Sequence, residues 1–177
     1  MKIKKIVDGV NVTALHWALM ANPHLWNEHR GRTEHPDSPH HGVDDIWARY
    51  AAPEVVDKQQ PHESVWYPSA NILPVRELVM PLMSYVGGER LGGVLITRIP
   101  PGKQVLPHTD PGWHARYYEK FAIQIASAPG QEFCFHGEQL EPRPGDIYWF
   151  DNSQEHWVTN PTHYERITMI CAIKKGV

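Results

Sequence analysis

The chain has 177 residues, of which 41% are hydrophobic and 21% charged, and its formal net charge is −3. That is the size and composition of one globular domain with a real core. No stretch approaches the roughly 20 apolar residues that span a bilayer, and a slightly acidic chain has no electrostatic pull on nucleic acid or anionic lipid, so neither partner is expected.

The basic start from Met1 to Lys5 is followed by no apolar run, so no secretory leader is expected. Thr13 to Ala21 has a capping residue at Thr13, apolar Leu15, Ala18 and Leu19, and Pro23 beyond, which predicts a helix capped by Thr13. Residues 22–45 are polar and rich in His, Pro and Gly; this is a long loop, of the kind that serves as a lid or binding segment. Its histidines, His24, His29, His35, His40 and His41, have no Cys partner and no regular spacing, so a solvated loop is expected rather than a second metal site. Residues 30–50 are read as a lid that recognises substrate, and Ile46 to Tyr50 alternates as a short strand would. Leu78, Val79, Leu82, Met83 and Val86 have helical spacing; Pro81 is expected to kink or split that helix, and Gly87-Gly88 to stop it.

From Gly92 onward the texture changes. Residues 93–99, 121–125, 132–135, 147–150, 155–158 and 167–173 are short runs rich in β-branched or aromatic residues, each bounded by Gly, Pro, Asn or Asp. Strands with no helix between them imply an antiparallel sandwich or barrel. The fold class is therefore α+β, mainly β. Residues 1–91 form a helical and looped region that packs on the β core and supplies the lid; residues 92–177 form that core, within one structural domain. Cys134 and Cys171 each lie inside an apolar run and are read as buried free thiols of a cytoplasmic protein. Tyr148, Trp149 and Phe150 are core, with room for one to line a pocket.

Two features carry chemistry. His108 and Asp110, in Pro107-His-Thr-Asp110, stand two residues apart, so on a strand they share one face and can approach one metal ion; an Asx-type turn is the alternative use of the same residues. His156, just after the run 147–150, is the best candidate for a third ligand. Two His and one carboxylate, with other positions open, is the ligand set of non-haem Fe(II) oxygenases. Arg166 lies ten positions after His156 at the start of the last strand. A guanidinium entering a β interior needs an anion, and the distal carboxylate of 2-oxoglutarate suits its planar fork. A surface ion pair with Glu165 or Asp151 is the alternative.

Pro101-Gly102 with Pro107-His-Thr-Asp110, then Pro144-Gly-Asp-Ile-Tyr-Trp-Phe-Asp-Asn-Ser153, then His156, Asn160 and Arg166-Ile167, resemble the aspartyl/asparaginyl β-hydroxylase-type family of 2-oxoglutarate- and Fe(II)-dependent dioxygenases. Asp110, which the animal peptidyl members lack, makes the chain more similar to free-amino-acid hydroxylases such as the proline 3-hydroxylases. The resemblance implies a double-stranded β-helix, a cupin-like jelly roll, preceded by N-terminal helices. It implies Fe(II) on His108, Asp110 and His156, 2-oxoglutarate on Arg166, and Thr97 near the co-substrate. The family's Arg-x-His on the strand after the first His here reads Lys120-Phe-Ala122; Lys120 stands in for the Arg, and Gln124, His114 and Arg116 are alternatives toward the other carboxylate. The implied reaction takes O2 and 2-oxoglutarate, hydroxylates an unactivated C–H of an amino-acid unit, free or peptidyl, and releases succinate and CO2. Arg49, Trp47, His114 and Arg116 are the candidates for meeting that substrate. A monomer or homodimer is expected. Two other readings stay open: a metal-dependent cupin enzyme that does not use 2-oxoglutarate, in which Arg166 would be dispensable, and a non-catalytic β-sandwich binding module, which needs no iron.

Overall fold

The structure, a computed structural model, describes residues 1–58 and 60–176. Eleven strands and four α-helices run in the order β1 (Ile3–Val7), α1 (Thr13–Ala21), β2 (Asp44–Ala51), β3 (Ser64–Trp66), α2 (Ser69–Ile72), α3 (Arg76–Val86), β4 (Gly88–Ile99), β5 (Gln104–His108), α4 (Gly112–Tyr117), β6 (Glu119–Ala126), β7 (Glu132–Phe135), β8 (Glu138–Leu140), β9 (Ile147–Phe150), β10 (His156–Thr159) and β11 (Arg166–Lys175). They form a seven-stranded sheet in the order β1-β9-β6-β11-β4-β2-β3 and a four-stranded sheet in the order β5-β10-β7-β8. Every pairing is antiparallel. Two such sheets with helices on one outer face make the mainly β jelly roll.

The period-2 alternation of β11 explains the layering. Ile167, Met169, Cys171 and Ile173 point to one face, where they join α1 residues Leu15 and Leu19 and α3 residues Leu78, Val79 and Leu82 in the larger core. Arg166, Thr168, Ile170 and Ala172 point to the other face and line a cavity between the sheets. β4 repeats the pattern, with Val94 and Ile96 toward the helices and Leu95, Thr97 and Ile99 toward the cavity. Both cysteines are buried and free. Among the described residues no helix is long and apolar enough to cross a membrane.

Several local expectations change. Thr13 is the first helical residue of α1 rather than its cap; the Asn11 side chain accepts the Thr13 N–H at 3.0 Å, so the capping function sits two residues earlier. Pro81 neither splits nor ends α3, which runs unbroken through it to Gly87 in the left-handed conformation at φ 67°. The bond Pro81 cannot donate belongs to the carbonyl of exposed Glu77 in the first turn, which water can satisfy. Residues 1–91 are more than a helical and looped layer, because β1, β2 and β3 extend the larger sheet at both edges. The last third of the segment expected to act as a lid is therefore strand β2, paired along β4. α4 interrupts the β half where no helix was expected. β5 and β8 also escape a reading by composition, since they are short edge strands with one buried side chain between them and Pro107 inside β5.

Candidate metal centre and cavity

β5 ends at His108 and β10 begins at His156, and the two are direct register partners. Asp110 lies just past β5 rather than on it; its backbone N–H donates to the Asn152 carbonyl at 3.0 Å, which folds the turn back toward the histidines. His108 Nδ1 is 2.8 Å from the Leu106 carbonyl and His156 Nδ1 is 2.9 Å from the Gln154 carbonyl. A carbonyl can only accept, so each Nδ1 carries the hydrogen and each Nε2 keeps its lone pair for a metal. The His108 Nε2 is 3.6 Å from Asp110 Oδ1, and the ligand atoms of His108, Asp110 and His156 all lie within 4.8 Å of one another. Burial pushes the Asp110 carboxyl up, but the neighbouring His108, Lys120 and His156 outweigh it and hold the group well below the usual carboxylate range. Burial pushes His156 down, toward the neutral form that ligates. Two imidazoles and one carboxylate suit a divalent first-row ion.

The cluster opens on a cavity of about 210 Å³ whose floor is the inner face of the large sheet. Arg166 closes one end. It is 1% exposed; Nη1 donates to the Gln131 carbonyl at 3.3 Å and Nη2 to the Tyr148 hydroxyl at 3.2 Å. Its Nε has no partner among the described residues. Neither acidic neighbour is available: Glu165 pairs with Arg98 at 3.8 Å, and Asp151 accepts from Ser153. Burial opposes the Arg166 charge. A buried cation with no carboxylate partner among the described residues and an orphaned N–H beside a cavity fits an incoming anion.

The remaining candidates divide. Thr97, Lys120, Trp47 and His114 line the cavity. Thr97 donates to Asp45 at 2.9 Å and accepts from Arg32 at 2.9 Å. Lys120 Nζ is 3.4 Å from His114 Nδ1, and burial pushes its ammonium down against the pull of Asp110. Three candidates need correction. Gln124 does not reach the cavity: its amide donates to the Ala126 and Ile167 carbonyls at 2.8 and 3.0 Å and accepts from Thr168 at 3.1 Å, so both ends are engaged in the sheet. Arg49 turns to the Leu91 carbonyl and the Trp66 ring, 5.2 Å from its centroid. Arg116 is exposed on the outer face of α4. The aromatic triplet also sorts by alternation, with Tyr148 and Phe150 lining the cavity and Trp149 facing away.

Arg32, one of the residues on which the expected lid rested, lies in the cavity wall, and so do His40 and Tyr50, which sequence reasoning did not single out as substrate contacts. His24, His29, His35 and His41 are exposed, as a solvated loop predicts, but His40 is not: its ring meets His108 at 4.7 Å between centroids. Burial, and then Arg32, push its pKa down to about 2, so the ring is neutral. The sequence signals for this wall were the length of the loop and its density of Arg and His, neither of which singles out His40.

The profile of the family described as Aspartyl/Asparaginyl beta-hydroxylase matches residues 74–175, more than half of the chain. The chain belongs to this family. It is thus an enzyme of the 2-oxoglutarate-dependent hydroxylase class, as the order of His108, Asp110, His156 and Arg166 along it implies. No curated protein matches it. Among solved structures it is similar to the viral collagen prolyl hydroxylase of Paramecium bursaria Chlorella virus-1, in its 2OG complex, with 11% identity over 100% of this chain and 97% of that one and a TM-score of 0.59. A Pseudomonas putida prolyl-4-hydroxylase shares 11% identity over 99% and 94%, with a TM-score of 0.55. A 2OG-Fe(II) oxygenase family oxidoreductase of Burkholderia pseudomallei shares 15% over 77% and 70%, with a TM-score of 0.56. At these identities the likeness is one of fold.

Proposed function

We propose that the protein binds Fe(II) through His108, Asp110 and His156 and 2-oxoglutarate through Arg166, and hydroxylates a C–H bond of an amino-acid unit, free or peptidyl. The reading rests on one observation above all: the buried Arg166 guanidinium, with no carboxylate partner among the described residues, closes the same cavity that the His-Asp-His cluster opens on. Prolyl hydroxylation by two proteins of the same fold supports an amino-acid or peptide substrate. When bound, the iron supplies the activation of O2 by which substrate, O2 and 2-oxoglutarate become hydroxylated substrate, succinate and CO2.

The protein's own part is binding and geometry. Arg166 and the Tyr148 hydroxyl grip the distal carboxylate of the co-substrate. Lys120, whose charge no ion pair neutralises among the described residues, is the cation for a second carboxylate. The Leu106 and Gln154 carbonyls keep the two imidazoles in the ligating tautomer. Phe133 and Phe150 exclude water around His156.

An anaerobic titration with Fe(II) and then 2-oxoglutarate, followed by the visible charge-transfer band, tests the reading. The band is expected in the wild type and lost or weakened in His108→Ala and Arg166→Ala. Iron bound without a band overturns the co-substrate; failure to bind iron overturns the metal site.

A further inference from the structure

His40 lines the cavity but belongs neither to the metal cluster nor to the grip on 2-oxoglutarate. His40 comes from the loop between α1 and β2 and lies edge-on to His108, the ring planes at 78°. Its Nε2 is 3.1 Å from Nη1 of Arg32. A guanidinium only donates, so Nε2 is the acceptor and the ring hydrogen sits on Nδ1. That Nδ1 is buried and has no partner among the described residues.

The ring is held before any ligand arrives. Arg32 spans both Asp45 oxygens at 2.8 and 3.0 Å and donates to Thr97 Oγ1 at 2.9 Å. Asp45, fully buried, is the register partner of Thr97 across β2 and β4. The backbone N–H of His40 donates to Ser38 Oγ at 3.2 Å, and the Ser38 hydroxyl donates to the Arg32 carbonyl. Tautomer and direction of His40 are thus fixed by one loop and two strands.

A buried donor without an acceptor is unfavourable, and the natural remedy is an oxygen brought by a ligand. Arg166 on β11 and Lys120 on β6 already answer carboxylates from the large sheet. His40 instead approaches from the loop, beside β5 of the small sheet. We propose that His40 is a substrate-recognition residue, whose Nδ1–H donates to a carboxylate or carbonyl oxygen of the amino-acid unit bound beside His108, with Arg32 as the positioning residue that fixes the ring. The inference rests on the function proposed above and names the group that recognises its substrate.

The test uses the full chain loaded anaerobically with Fe(II) and 2-oxoglutarate. The probes are the free L-amino acids and their N-acetyl amides, and binding is read from the change in the visible band, without turnover. His40→Phe and His40→Leu remove the donor, and His40→Asn restores an N–H near the Nδ1 position. The expected result is a probe that His40→Phe and His40→Leu bind at least tenfold more weakly than the wild type. His40→Asn should bind it within a few-fold, and all three variants should keep wild-type affinity for 2-oxoglutarate. Preference for free acids makes the acceptor a carboxylate, and preference for the amides makes it a carbonyl. Equal probe binding without the donor overturns the assignment and leaves the parent reading standing, as does loss of 2-oxoglutarate in the same proportion. His40→Asn falling with the others overturns the donor role. A band that no probe perturbs overturns the assignment together with the substrate class, whereas no band in the wild type overturns the parent reading itself.

Discussion

His108 and His156 face each other across the β5–β10 ladder, with ring centroids 4.4 Å apart. β10 is held from its other side by β7, whose Phe133 stacks on the His156 ring at 5.6 Å with planes 11° apart. The two imidazoles are therefore set by strand register and packing, and only Asp110 depends on a turn. Such a pair is a candidate metal site that folds with the sheet.

Metal should stabilise the fold through this pair. A divalent ion at one hundred times its Kd is expected to add about 2.7 kcal/mol, seen as a rise in the thermal midpoint. His156→Ala should lose that rise while the metal-free variant still unfolds cooperatively. A midpoint that rises equally in both proteins would place the metal elsewhere.

Arg166 trades stability for binding. Its charge is buried without a carboxylate partner among the described residues, so Arg166→Met should leave the ligand-free protein at least as stable as the wild type. Loss of the charge-assisted grip is expected to weaken 2-oxoglutarate binding by about 2–5 kcal/mol. Calorimetric titration and denaturant unfolding check the two halves; a strongly destabilised Arg166→Met with intact binding would contradict both.

Acid should weaken the fold through His114. Burial, and then Lys120, push its pKa down to about 3, whereas in the unfolded chain it titrates near 6.5. Between those values the unfolded state holds a proton that the folded state lacks, so stability falls as pH drops from about 6.5 toward 3. Thermal midpoints measured from pH 7 to pH 4 should decline less steeply in His114→Phe. An unchanged slope would show that His114 is protonated in the folded protein.

Gly145 is a backbone requirement. It sits at φ +89°, and a Cβ there would lie 2.6 Å from the Val10 carbonyl oxygen, on a turn whose N–H and carbonyl bond Gln124 and Val10. Gly145→Ala is expected to cost about 1–2 kcal/mol for the left-handed conformation alone, with the clash in addition. Urea unfolding measures it, and a loss under 1 kcal/mol would mean the turn relaxes.

Much of the strand content was legible because each core strand alternates or runs β-branched over a few residues, as in Ile167 to Ile173. β1 was not, since Lys4 and Lys5 are exposed and the strand exists by pairing with β9. α4 was not, because six residues are too few for a helical period to show. Thr97 and Lys120 were placed at the cavity by family resemblance, whereas Gln124 followed from the same strand and failed. Its side chain found nearer partners in the backbone of β11 and β6 than in the cavity, a choice made by hydrogen-bond geometry that no spacing encodes.

By itself the sequence determined which chemical types stand at which intervals: a His and an Asp two apart, a His at the head of one short strand, an Arg at the head of another, and the alternation that sends β11 to two faces. Tertiary structure alone decided that His108 and His156 are register partners, that Arg166 is enclosed without an acid, and that one histidine of a polar loop, His40, turns inward onto His108. The histidine contacts and the Asp45–Thr97 pairing join residues 48 to 68 positions apart, as His108 with His156 and with His40 shows. Local propensity is silent there, because burial and hydrogen bonding across the fold set the outcome.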